Sequence, residues 1–273
     1  MTRRPAPLVI AITAAVTLGL LTGCGSGSGS GTVLQSVSRQ LGDVHSAKLD
    51  LTLAAHTAGQ GDARDVGFTV AGPFSLPPDG GLPTADLTYT QLRGSAAPQI
   101  VRVVSTGSAV YAGQGGKLKR LPQSQADLLK QPAATNGLGR LHVDRWVTGA
   151  KRSDGPDDGS EKTDQVTGRF DLGAFLSDLN ALVGSGSDDP LGVSKLTPEQ
   201  LKQLNATVTS SSATVVSGRR DHVLRSLQGR ADLGKANGNV GPALAGLLPL
   251  TLSIRLKLTD VGKPVTVSAP AGS

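Results

Sequence analysis

The sequence predicts an α+β fold, an antiparallel sheet whose apolar face is covered by helices. Three observations predict it. Apolar and polar residues alternate with a period of two from Ala47 through Leu49, Leu51, Leu53 and Ala55. The same alternation returns near the end, where Leu250, Leu252, Ile254, Leu256 and Leu258 are separated by Thr251, Ser253, Arg255 and Lys257. Between these two β-rich parts, apolar residues recur at helical spacing. Strict alternation gives one buried and one wet face, which is the signature of antiparallel strands.

The elements follow in order. The chain opens MTRRPAP, and Leu8 to Leu21 is an almost unbroken apolar run of 14 residues. A spanning helix needs about 20. Arginines in front of a short apolar run, with small residues behind, make a secretory signal. It ends Leu21-Thr22-Gly23-Cys24, the pattern of a bacterial lipobox, and holds the chain's single cysteine. A lone cysteine forms no internal disulfide. Residues 1–23 therefore read as a signal peptide, Cys24 as the lipidated first residue, and 24–31 as a Gly/Ser tether. The body, 32–273, is a single domain. Thr32-Val-Leu-Gln35 has the form of a capping box, with Leu34, Val37 and Leu41 on one helical face and Gly42 as the stop. Strands follow over 45–55 and 66–76. Three more are marked by Leu87 and Tyr89, Val101 and Val103, and Val110 and Tyr111, the last turning at Gly113-Gln-Gly-Gly116. Ser124 to Lys130 reads as a short helix. Asp171 caps a longer one carrying Leu172, Phe175, Leu176, Leu179 and Leu182, and Thr197-Pro-Glu-Gln200 caps another. The polar segments 153–163 and 184–190 read as loops. Strands at 208–217, 223–233 and 250–258 complete the chain.

Composition narrows the function. From Cys24 onward there are 25 basic and 21 acidic residues, a mild net charge of +4. These charges are scattered, without the dense basic stripe that nucleic acid requires, so no nucleic-acid partner is expected. Anionic headgroups or glycolipids are a more natural match for weak basic charge. Aromatic residues are only 3% of the chain, so Leu, Val and Ala build its interior. His45, His56, His142 and His222 form no metal-binding pair, and no G-x-S-x-G elbow occurs. Gly116-Lys117 has the ending of a phosphate-binding loop, but Tyr111 and Leu118 stand where Gly and Ser/Thr are needed. The acidic segment Asp154 to Glu161 lacks a calcium loop's last glutamate and carries Pro156. No enzyme activity, metal or cofactor is expected.

The order of several segments resembles the actinobacterial LppX/LprA/LprF/LprG lipoproteins. The segments are LTGC, Val44-His-Ser-Ala-Lys-Leu-Asp-Leu-Thr-Leu53, Ala109-Val-Tyr-Ala-Gly113, Gly218-Arg-Arg-Asp-His-Val-Leu224 and Leu258-Thr-Asp-Val-Gly-Lys-Pro-Val-Thr-Val267. The resemblance implies a LolA-like half-barrel, a strongly curved antiparallel sheet with helices on its concave face. It also implies a lipid-anchored protein on the extracytoplasmic face of the cell membrane. Such a protein takes up the acyl chains of a diacylated or triacylated lipid or glycolipid, carries them across the envelope, and has a membrane exporter as candidate partner. A smooth aliphatic wall suits alkyl chains, since each methylene removed from water gains about 0.8 kcal/mol. That wall is expected at Leu49, Leu51, Leu53, Phe68, Val70, Tyr89, Val103, Tyr111, Leu179, Leu182, Leu252, Ile254 and Leu256. The apolar stretch Pro242 to Leu250, held between prolines, reads in two ways: as the lining or gate of the cavity mouth, at Leu244, Leu247 and Leu248, or as a short buried helix. The competing reading fills the same positions with a packed core and makes the chain a binder of a protein or cell-wall polymer.

Overall fold

The computed structural model describes residues 28–57, 64–78, 80–127, 130, 137–159, 161–183, 197–235 and 248–271. Residues 1–23, read from the sequence as a signal peptide, and Cys24, Leu244 and Leu247 lie outside them. Among the described residues, eleven strands form one antiparallel sheet. They are β1 (Ser46–Thr57), β2 (Arg64–Ser75), β3 (Thr84–Arg93), β4 (Ala96–Thr106), β5 (Val110–Gln114), β6 (Lys117–Arg120), β7 (Val147–Asp154), β8 (Thr163–Phe170), β9 (Val208–Gly218), β10 (Leu224–Leu233) and β11 (Leu250–Thr259). Their spatial order is β6-β5-β4-β3-β2-β1-β11-β10-β9-β8-β7, so the sheet is open, with β6 and β7 as edges.

The first and last strands meet in the middle because their alternations match. Leu49 faces Leu258, Leu51 faces Leu256, Leu53 faces Ile254 and Ala55 faces Leu252. The interleaved pairs, Asp50 with Lys257 and Thr52 with Arg255, turn to the opposite face. A slip of one residue would put all the leucines into water, so this pattern fixes the register.

The helices are α1 (Ser28–Gly42), α2 (Gln123–Ala126), α3 (Val143–Trp146), α4 (Leu172–Val183) and α5 (Pro198–Ala206). Helix α1 packs on α3 and reaches β7, β8 and β10. It buries Val33, Leu34, Val37 and Leu41. Trp146 meets Phe175 edge-on at 5.2 Å, and Phe175 meets Phe170 at 5.4 Å. Phe170 is seated over Gly229. A Cβ on that glycine would lie 2.7 Å from Ile254 Cγ2 and 3.0 Å from the Phe170 ring. These contacts join the helices to the β7–β11 half of the sheet.

The α+β architecture expected from the sequence is the one observed. The capping box at Thr197 is present, with Gln200 N donating to Thr197 Oγ1 at 3.2 Å and Thr197 N to Gln200 Oε1 at 2.9 Å. Asp171 caps α4 by accepting from Ala174 N at 3.0 Å. Other expectations are corrected. Helix α1 begins at Ser28, so Ser28–Gly31 belongs to the helix and not to a tether. Ser30 is buried and its hydroxyl donates to Ala150 O at 3.0 Å, which fixes this turn on β7. Of the helix expected over Ser124 to Lys130, the described residues show the single turn α2. Strands β7 and β8 flank a segment read as loop and were absent from the expected set.

Candidate functional site

The apolar face is continuous across the sheet, but it is covered unevenly. On the β7–β11 side, Val166, Val215, Leu227, Ala231, Leu252, Ile254 and Leu256 are buried. On β1 to β4, Ala47, Leu53, Ala55, Phe74 and Ala85 of the same face are buried as well, whereas Leu49, Leu51, Val66, Phe68, Val70, Leu87, Tyr89, Val101 and Val103 are only half-buried. Register places them side by side. Leu51 pairs with Val70, Val70 with Tyr89, Tyr89 with Val101, and Leu87 with Val103. The Phe68 and Tyr89 rings stack with centroids 5.8 Å apart. Gly72, opposite Leu49, leaves the strip without a side chain, and its Cβ would collide with Asp86 O at 2.0 Å. Beyond Val103, a small buried cluster of Leu82, Val110 and Ala126 from α2 ends the strip. Among the described residues, the elements packed over β7, β8 and β10 have no counterpart over β2 and β3.

The expected wall residues therefore separate into groups. Leu49, Leu51, Phe68, Val70, Tyr89 and Val103 form the half-buried strip. Leu53, Leu252, Ile254 and Leu256 are core. Leu179 and Leu248 are half-buried against that core. The Leu182 side chain lies outside the described residues. Tyr111 is a correction: it pairs with Val104, on the face opposite Val103, and packs with Val104, Ala109, Leu118 and Val267 of the C-terminal tail. Val66, Leu87 and Val101 join the strip although sequence reasoning had not put them in the wall. Their alternation with Phe68, Tyr89 and Val103 was the available signal.

Polar chemistry lies elsewhere. Asp86, on the opposite face, accepts from Arg102 Nε at 2.8 Å and Nη2 at 2.6 Å, and that guanidinium holds its carboxyl below the usual carboxylate range. The acidic segment between β7 and β8 is neutralised by cations. Arg219 takes Asp154, Lys162 takes Asp157 at 2.8 Å, and Arg225 takes Glu161 at 2.5 Å. Arg225 Nε also lies 3.0 Å from Asp158, an ion pair without hydrogen-bond alignment. Buried Asp164 is held by Arg152 at 2.8 Å and Arg219 at 3.0 Å. Ser217 Oγ and His222 Nδ1 are both buried without hydrogen-bond partners, so neither activates the other. Among the described residues, no group of His, Cys, Asp or Glu is arranged to hold a metal. No described helix is long and apolar enough to cross a membrane.

No family model matches the chain, and no curated protein does. Among solved structures, the chain is similar to LprF from Mycobacterium bovis, at 15% identity and a TM-score of 0.45, over 89% of this chain and 97% of that one. It is also similar to the lipoprotein LppX from Mycobacterium tuberculosis, at 14% identity and a TM-score of 0.38, over 87% of this chain and 98% of that one. At TM-scores below one half these likenesses carry no inference about function.

Proposed function

We propose that the chain is an extracytoplasmic lipoprotein, anchored in the cell membrane through acylated Cys24. It holds the acyl chains of a lipid or glycolipid against the β1–β4 strip and carries them across the envelope. It is a carrier and not an enzyme. The observation that supports this reading is the half-buried apolar strip of Leu49, Leu51, Phe68, Val70, Tyr89 and Val103, continuous with a closed core on one side. A core that served packing alone would be covered over this half as well. Alkyl chains laid along the strip remove both surfaces from water without any polar motif, at about 0.8 kcal/mol per methylene.

The test is native mass spectrometry of residues 25–273 expressed in a bacterial host. The expected result is a discrete added mass that organic solvent extracts as lipid. Val70→Asp, which places a charge in the strip, should lower the loaded fraction about tenfold. A bare polypeptide mass after incubation with envelope lipids would remove the carrier reading and leave a protein- or polymer-binding module.

A further inference from the structure

An anchor at Cys24 and the placement of α1 together fix how the body can sit. Helix α1 begins at Ser28, four residues from Cys24. Four residues reach at most about 14 Å. A domain of about 240 residues has a radius of gyration of about 18 Å, so this leash is shorter than the radius of the body it holds. The start of α1 is itself fixed. Buried Ser30 donates to Ala150 O at 3.0 Å, and a Cβ on Gly29 would lie 3.8 Å from Arg152 Nη1. Both partners belong to β7, an edge of the sheet. Whatever surface holds Cys24 therefore has the β7 edge beside it.

This edge suits a polar layer better than another strand. Thr148, Gly149, Lys151, Arg152 and Ser153 are exposed, whereas Val147 is buried. Gly149 adopts φ +63° at the register shift between Thr148 and Lys151, and a Cβ there would meet open space. The shift bends the edge, and the Ser30 hydroxyl takes the carbonyl of Ala150, so a strand added here would find a broken ladder. The one carboxylate of β7, Asp154, is held by Arg219. We propose that the β7 edge, from Thr148 to Ser153, is the surface the body turns to its own membrane, resting on the lipid headgroups without entering the hydrocarbon. Its exposed side chains are hydroxyls and cations, which bond to phosphate and ester oxygens, and none is apolar enough to insert. The short leash sets this orientation. The assignment rests on the proposed acylation of Cys24.

Acylation consumes the chain's single cysteine, so an introduced one can be labelled alone. The mature acylated chain, with a fluorophore at T148C or at K257C, is bound to phosphatidylcholine vesicles that carry a nitroxide quencher on their headgroups. Lys257 is exposed on β11, four strands from β7 and about 19 Å away along the sheet. The expected result is stronger quenching of T148C than of K257C, by about twofold, because the leash is shorter than the spacing of the labels. Inserting about twenty Gly/Ser residues between Gly25 and Ser26 leaves the described residues untouched and should bring the two sites level. Equal quenching in the parent chain would overturn the assignment. So would stronger quenching of K257C, or a difference that survives the longer leash. Each of these outcomes leaves the anchor standing, since the vesicles still carry the protein. A chain that fails to float with the vesicles would overturn the acylation of Cys24 and this inference with it.

Discussion

At the scale of single residues, the clearest electrostatic statement concerns Asp86. Its bonds to Arg102 lower its pKa, so the pair contributes stability above the unfolded carboxylate value, about 3.9, and that contribution is lost as pH falls through the lowered folded value. Arg102 is half-exposed, so solvent screens the pair, and about 0.5 kcal/mol is the appropriate scale. Asp86→Asn should lower stability at neutral pH by that amount, and the gap between variant and parent should close in strong acid. Urea unfolding across the pH range measures it. Tyr111 shows what sequence leaves open at this scale. Val110 and Tyr111 are neighbours and must point to opposite faces. Which of them shares a face with Val103 depends on the pairing of β4 with β5, and that register is not written in either strand.

At the scale of elements, the C-terminal tail after β11 is informative because it lies on the face away from the strip. Val267 covers Val104, Tyr111 and Leu118 there. Ending the chain at Lys263 should cost about 1–2 kcal/mol by exposing this cluster, seen as a lower melting temperature. Lipid loading of the truncated protein should be unchanged, since the strip is untouched. The elements legible in the sequence were those with an unbroken period. The leucines of β1 and β11 announce themselves, and Thr197 and Asp171 mark their helix starts through side-chain chemistry. Strand β7, Val147–Asp154, has no such pattern, and most of its residues are exposed because it is an edge. In β8 the alternation is Val166, Gly168, Phe170, and the glycine interrupts it. Gly168 is nonetheless required, since a Cβ there would lie 2.7 Å from Thr148 O. The start of α1 was also illegible. Ser-Gly repeats are poor helix formers, and the tertiary bond from Ser30 to Ala150 supports the helix where it extends into them.

At the scale of the whole molecule, one sheet serves two roles according to what covers it. The half under α1, α3 and α4 is closed core, and the half formed by β1 to β4 keeps one strip of its apolar residues partly open beside buried Leu53, Ala55 and Phe74. Amide hydrogen exchange should separate the two, with β9, β10 and β11 slowest and β3 to β5 faster, because exchange follows local packing. Uniform protection across the sheet would contradict the division. Its mechanical basis is the seat of Phe170 over Gly229, extended through Phe175 to Trp146. That aromatic chain clamps the helices at a fixed height over β10, so the covered half has no slack. Under the proposed carrier function, any swelling needed for a longer or more branched cargo would be taken up by strands β2 to β5. On that function the molecule would be a gauge with one rigid jaw and one compliant jaw, the stiffness of the compliant jaw setting the range of chain lengths it accepts.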